Sequence, residues 1–176
     1  MEQYKRFNFG KIDAYGNGRK ANSVDIDIYL KDTPNGKEFT ASGLVWNSRH
    51  TDCIMGGQCL DDLLKYSELA NNELYKKIYR FWTLYHLNGM HAGTKQQEKF
   101  IKEHQNELQS VLEELQAENK YNYKYISNYE ATCELLKRNN LYEVEYNGKP
   151  YKYGHGWLFY KIPTKDLKEI EKLFED

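Results

Sequence analysis

A mixed α+β fold is predicted for this chain, on three observations. The stretch "NSVDIDIYL" alternates strictly, with Val24, Ile26, Ile28 and Leu30 on one face and Asp25, Asp27 and Tyr29 on the other, the period of a half-buried strand. Near the other end, "LYEVEY", "NG" and "KPYKY" form a hairpin signal, because Asn-Gly fits a type I′ turn. Between them lie helical periodicities opened by capping residues. The expected architecture is an antiparallel sheet from N-terminal and C-terminal hairpins, packed with about five helices, one long and glutamate-rich. It occupies a single domain over residues 1–176.

The elements follow in order. "RFNFGKIDAYGNG" predicts a first strand ending in the turn Gly16-Asn17-Gly18. The alternating strand then meets "TPNG", Thr33 to Gly36, a turn signal, and returns as "KEFTASGLVWN". "GGQCLDDLLKY" opens a helix whose apolar side is Cys59, Leu60, Leu63 and Leu64. A second helix over Asn72 to Tyr85 carries Leu74, Ile78, Phe81, Trp82 and Tyr85 at helical spacing, and Gly89 stops it. Thr94-x-x-Gln97 is a capping box that starts one long helix reaching about Glu118, with Phe100, Ile101, Leu108, Val111, Leu112 and Leu115 in its stripe. Ser127-x-x-Glu130 caps the next helix. After the hairpin, "GWLFYKI" predicts a strand, and Pro163-Thr164 leads into a last helix with Leu167, Ile170, Leu173 and Phe174 inward.

Composition narrows the function classes. Charged residues make up 29% and the net charge is −1, so this is not the strongly basic surface of a dedicated duplex binder. Charge is nevertheless uneven. Residues 1–22 and 137–161 each carry a net +3, whereas 98–118 carries −4. Sixteen tyrosines suit core margins, interfaces or base-stacking platforms, or reflect an AT-rich coding genome, in which Tyr, Lys, Asn and Ile rise together. Three cysteines, a polar start and the lack of any ~18-residue apolar run predict a reduced, cytoplasmic protein without a membrane span.

Three polar knots flanked by glycines hold the candidate chemistry. The first, Val45 to Cys59, places Trp46, Arg49 and His50 before a glycine-rich helix start, where backbone amides attract anions. It lacks the spacing of a phosphate loop or dinucleotide fingerprint. Cys59 in the first helical turn reads either as a thiol with lowered pKa or as an inert core cysteine. The second knot, "LYHLNGMHAGTKQQE", contains His86, Asn88 and His91; five-residue spacing is not the H-E-x-x-H metal pattern. The third, "YKYGHGWLFY", places Tyr153, His155 and Trp157 beside Lys149, Lys152 and Lys161, as a single-strand binding face would. Asp25 and Asp27 share a strand face, as magnesium ligands do, although an exposed polar face is the simpler expectation. No cofactor and no metal site is expected.

The segments "YGNGRK", "ASGLVWNSRHTDCIMGGQCLDDL", "YHLNGMHAGTKQQE" and "YGHGWL" resemble a family of small phage and prophage proteins from AT-rich Gram-positive bacteria. Some phage proteins of this size and origin are anti-CRISPR inhibitors of type II effector nucleases. The resemblance implies a bacterial host cytoplasm during infection, and a type II effector nuclease or its guide RNA as partner. It carries over no catalytic residues. The expected function is therefore a binding inhibitor, with Arg19, Lys20, Trp46, Arg49, Asn88, Lys149, Lys152, Tyr153 and Trp157 as contact candidates. The alternative is a guide-trimming ribonuclease using His50, His86, His91 and His155 as acid and base, since imidazole titrates near neutrality. A phage accessory protein with another partner is the third reading.

Overall fold

The computed structural model describes residues 2–33, 36–46, 54–55, 57–86, 93–119, 126–154 and 162–176. Its first half is an antiparallel sheet in the order β1-β2-β3-β4, formed by β1 (Glu2–Asn8), β2 (Ser23–Thr33), β3 (Gly36–Trp46) and the short β4 (Ile54–Met55). The alternation of β2 sets its two faces. Val24, Ile26, Ile28 and Leu30 are buried against the helices, joined by Phe39, Ala41 and Val45 of β3. Burying each of the Val, Ile, Leu and Phe side chains among them contributes roughly 1.5–3 kcal/mol.

The opposite face corrects one expectation. Asp25 and Asp27 are not an exposed polar pair; they retain only 7% and 5% exposure. Register explains this, because Arg6 lies opposite Asp27 and Asn8 opposite Asp25. Arg6 grips Asp27 through Nε at 2.7 Å and Nη2 at 3.0 Å, and the Tyr4 hydroxyl donates to the same carboxylate at 2.9 Å. Asn8 Nδ2 and Trp46 Nε1 each donate to Asp25 at 2.7 Å. Both carboxylates are thus occupied by protein donors, as buried charge requires. Burial pushes the Asp27 carboxyl up, but the Arg6 and Tyr4 donors outweigh it and hold the group below its usual range.

Helices α1 (Gly57–Tyr66), α2 (Glu73–Tyr85), α3 (Lys95–Glu103), α4 (Gln105–Glu118), α5 (Asn128–Arg138) and α6 (Thr164–Leu173) supply the rest of the core. A 3₁₀ turn over Glu68–Asn71 joins α1 to α2. α2 is buried more completely than its predicted stripe: Tyr75, Tyr79 and Leu84 are inside along with Ile78, Phe81 and Tyr85. The long glutamate-rich helix is two helices, broken at His104. There the His104 ring stacks on Phe100 and its Nδ1 meets the Phe100 carbonyl at 2.7 Å, a side-chain bond that competes with the helical ladder.

The second hairpin, β5 (Glu143–Tyr146) and β6 (Lys149–Lys152), makes a separate two-stranded ladder instead of extending the first sheet. Its turn has positive φ at both Asn147 and Gly148, the type I′ geometry expected from Asn-Gly. Of the strand expected over "GWLFYKI", residues 156–161 lie outside the described residues, as does the Tyr-rich link at 120–125, and Ile162 is buried in the core. No helix among the described residues is long and apolar enough to cross a membrane.

Candidate nucleic-acid interface

Residues 9–22 connect β1 to β2 as a loop whose two arms are tied together. Ala21 N donates to the Ile12 carbonyl at 2.9 Å, and Val24 N to that of Gly10 at 3.1 Å. Ile12, Ala14 and Ala21 anchor the loop in the core, while Lys11, Tyr15, Arg19 and Lys20 stay exposed. At its tip, the Asp13 carboxylate accepts four backbone N–H groups: Tyr15 at 3.1 Å, Gly16 at 2.8 Å, Asn17 at 3.2 Å and Gly18 at 2.6 Å. Such a nest of amides is an anion site, and here the chain fills it with its own carboxylate. Desolvation pushes Asp13 up, but the four donors outweigh it and leave the carboxyl below its ordinary range.

The loop leans on the end of α1. A Cβ added at Gly16 would lie 2.8 Å from the Tyr66 carbonyl oxygen, so only glycine permits this approach. The contact sets Tyr66, 52% exposed, against the loop that carries Tyr15, 41% exposed, and the exposed Arg19 and Lys20. Lys65 Nζ stands 5.1 Å over the Tyr66 ring. Among the described residues, Lys11, Arg19 and Lys20 have no carboxylate partner. Sequence reasoning named Arg19 and Lys20 but missed Lys11, Tyr15, Lys65 and Tyr66. An aspartate shortly before Gly-Asn-Gly is the signal for a braced loop; the approach of Tyr66 has no local signal.

The other candidate residues divide into four groups. Lys149 and Lys152 are exposed on the hairpin, with Lys152 Nζ 3.9 Å from Glu143. Trp46 is half-buried and committed through its indole N–H to Asp25. Tyr153 departs from the expectation of a contact residue: it is fully buried, stacks on Tyr129 at 5.9 Å between centroids, and offers no face to a partner. His50, Arg49, Asn88, His91, His155 and Trp157 lie outside the described residues. Cys133 is buried, and desolvation, only partly offset by Tyr129, pushes its thiol up; the Cys59 side chain also lies outside the described residues.

His86 caps the C-terminal end of α2. Its ring stacks on Trp82 at 4.6 Å, and Nδ1 meets the Trp82 carbonyl at 2.5 Å. A carbonyl accepts only, so Nδ1 carries the proton and Nε2 is the basic nitrogen. Burial lowers the imidazole pKa, against the Trp82 carbonyl and the field of Asp61, which raise it.

Two of the polar knots do meet, inside the protein. A Cβ at Gly93 would lie 2.8 Å from Tyr153 Cδ2 and 2.7 Å from Gln97 Oε1. Gln97, fully buried, completes the capping box with Thr94 and donates from Nε2 to the carbonyls of Leu141 at 2.9 Å and Tyr142 at 3.3 Å. Gly93, Thr94 and Gln97 of the second knot therefore form a polar corner packed against Tyr153 of the third. Among the described residues, no cluster of three or more His, Cys, Asp or Glu has metal-ligand geometry.

The basic segment 137–161 is also less free than its sequence implies. Arg138 forks onto Glu114 of the acidic helix at 2.9 and 3.0 Å and reaches Glu134 at 3.1 Å, while Lys137 Nζ sits 4.7 Å over the Tyr142 ring. Among the described residues, the 9–22 loop, tied across its arms and anchored by Ile12, Ala14 and Ala21, carries three exposed cations with no carboxylate partner. Comparisons with protein-family models, curated proteins and solved structures found no match to this chain.

Proposed function

We propose that this protein is a phage-encoded anti-CRISPR inhibitor. In this reading it binds a type II RNA-guided effector nuclease or its guide RNA in the cytoplasm of the infected bacterium and blocks DNA targeting. The observation that supports binding is the braced loop backbone, from which the exposed Lys11, Arg19 and Lys20 project, with Tyr15 on the same loop and Tyr66 against it. A loop backbone braced before the partner arrives spares its own ordering cost, and the exposed cations lose only side-chain freedom on contact. The test is gel filtration of the whole chain with the effector, with and without guide RNA. Co-elution is expected in at least one arm; its absence from both removes the proposal.

A second reading, a histidine-dependent ribonuclease, draws on His86. The fixed tautomer and lowered pKa keep the imidazole neutral at pH 7, with Nε2 as a base. Guide RNA incubated with the protein, with and without EDTA, separates the two readings. Fragments that appear in both lanes and disappear with His86→Gln would replace the inhibitor reading by this one. RNA left whole in both lanes ends it.

A further inference from the structure

We infer that the 9–22 loop and the end of α1 form a binding site for single-stranded nucleic acid, with Tyr15 and Tyr66 stacking on bases and Lys11, Arg19 and Lys20 contacting phosphates. The inference rests on the reading of the protein as a binder directed at an RNA-guided nuclease, and it assigns the surface that would touch the nucleic acid.

Charge is the first argument. Lys11 and Lys20 precede Ile12 and Ala21, whose backbone bond ties the two arms of the loop, and Arg19 follows the amide nest directly. The loop's own acid, Asp13, is turned into the backbone, where four amide dipoles face it. The nest is therefore filled, and a phosphate meets the side-chain cations instead of the backbone. Arg6, from the same basic segment, is already consumed by Asp27. The aromatic rings are the second argument. Stacking is tolerant of sequence because every base has a π face, and exposed tyrosine beside lysine or arginine is the arrangement that single-strand binders use. Lys65 Nζ, 5.1 Å over the Tyr66 ring, adds positive charge at that end of the surface. Asp62 of α1 and the exposed Glu68 of the following turn repel phosphate and bound the site at that end. A duplex fits poorly, since its bases are already stacked inward.

The test is fluorescence anisotropy of the full-length protein with labelled oligouridylate, oligothymidylate and duplex RNA across a salt series. Both single strands should bind, and duplex RNA about tenfold more weakly or less tightly still. Three phosphate contacts predict a log–log salt slope of about −2 for single strands. Combined Lys11→Ala, Arg19→Ala and Lys20→Ala substitution should weaken binding about tenfold or more and flatten the slope. Tyr15→Ala and Tyr66→Ala should each weaken it about five- to tenfold and leave the slope unchanged. Thermal melts check that each variant stays folded. No binding of either single strand at low salt, or wild-type binding by the folded variants, overturns the site. Variants that bind oligonucleotides like the wild type and still co-elute with the effector and inhibit it overturn the site and leave the inhibitor reading standing. Patch-dependent oligonucleotide binding without any effector complex supports the site and removes the inhibitor reading. Patch-dependent capture of guide-free effector with no affinity for oligonucleotides marks a protein interface and overturns the nucleic-acid assignment.

Discussion

Gly93 is where the second and third polar knots touch, and it does so by having no side chain. Its φ of 97° and the crowding by Tyr153 and Gln97 both reject a methyl group. Gly93→Ala should cost about 2 kcal/mol or more, read as a lower urea midpoint with little change in m. His86 gives a second prediction at the same level. Burial depresses its pKa, so the unfolded chain takes up a proton near 6.5 while the folded protein resists it. This contribution is complete above pH 6.5 and is lost as pH falls below it, at no more than about 1.4 kcal/mol per pH unit. The pH 5–6.5 decline in melting temperature should be shallower in His86→Gln than in the native protein. An equal slope in the two proteins would show that other groups drive it. Neither residue announces its role in the sequence: a glycine near a helix start looks like a turn, and a histidine near a helix end looks like a surface cap.

Capping and turn chemistry were legible because they are short-range. Thr94 and Gln97 form the capping box their spacing predicts, Ser127 accepts from Glu130 N, and Asn147-Gly148 closes a type I′ turn. Thr94→Ala should lower stability by about 1 kcal/mol, the usual value of a cap. Gln97→Ala should cost more, about 2–3 kcal/mol, because the carbonyls of Leu141 and Tyr142 also lose their donor. Denaturant melts of the two variants test the order, and equal losses would mean that the link to Leu141 is weak. The break at His104 was not legible. Helical periodicity runs straight through it, with Phe100, Ile101 and Leu108 in phase, and only the stacking of His104 on Phe100 shows where the ladder stops.

Across the whole molecule, the two hairpins have unequal support. β2 is paired on both sides within the larger sheet and lays Ile26 and Ile28 on the helices, whereas among the described residues β5 and β6 pair only with each other. Two-stranded ladders are marginal alone. Amide hydrogen exchange at Val144 and Tyr151 should therefore run orders of magnitude faster than at Ile26, Ile28 and Phe39. Comparable protection would mean that the small hairpin unfolds only with the core. Charge shows the same dependence on assembly. A basic and an acidic segment that look independent in the sequence are joined by Arg138 and Glu114, while the 9–22 loop keeps its exposed cations.

Period, caps and turn residues specify the α+β class, the inward face of β2 and both hairpins, because each depends on residues a few positions apart. The pairing of Asp27 with Arg6, the division into two sheets, the burial of Tyr153 and the meeting of Gly16 with Tyr66 all depend on residues far apart in the chain. Their energies come from burial and from satisfying buried polar groups, which exist only once the elements have packed.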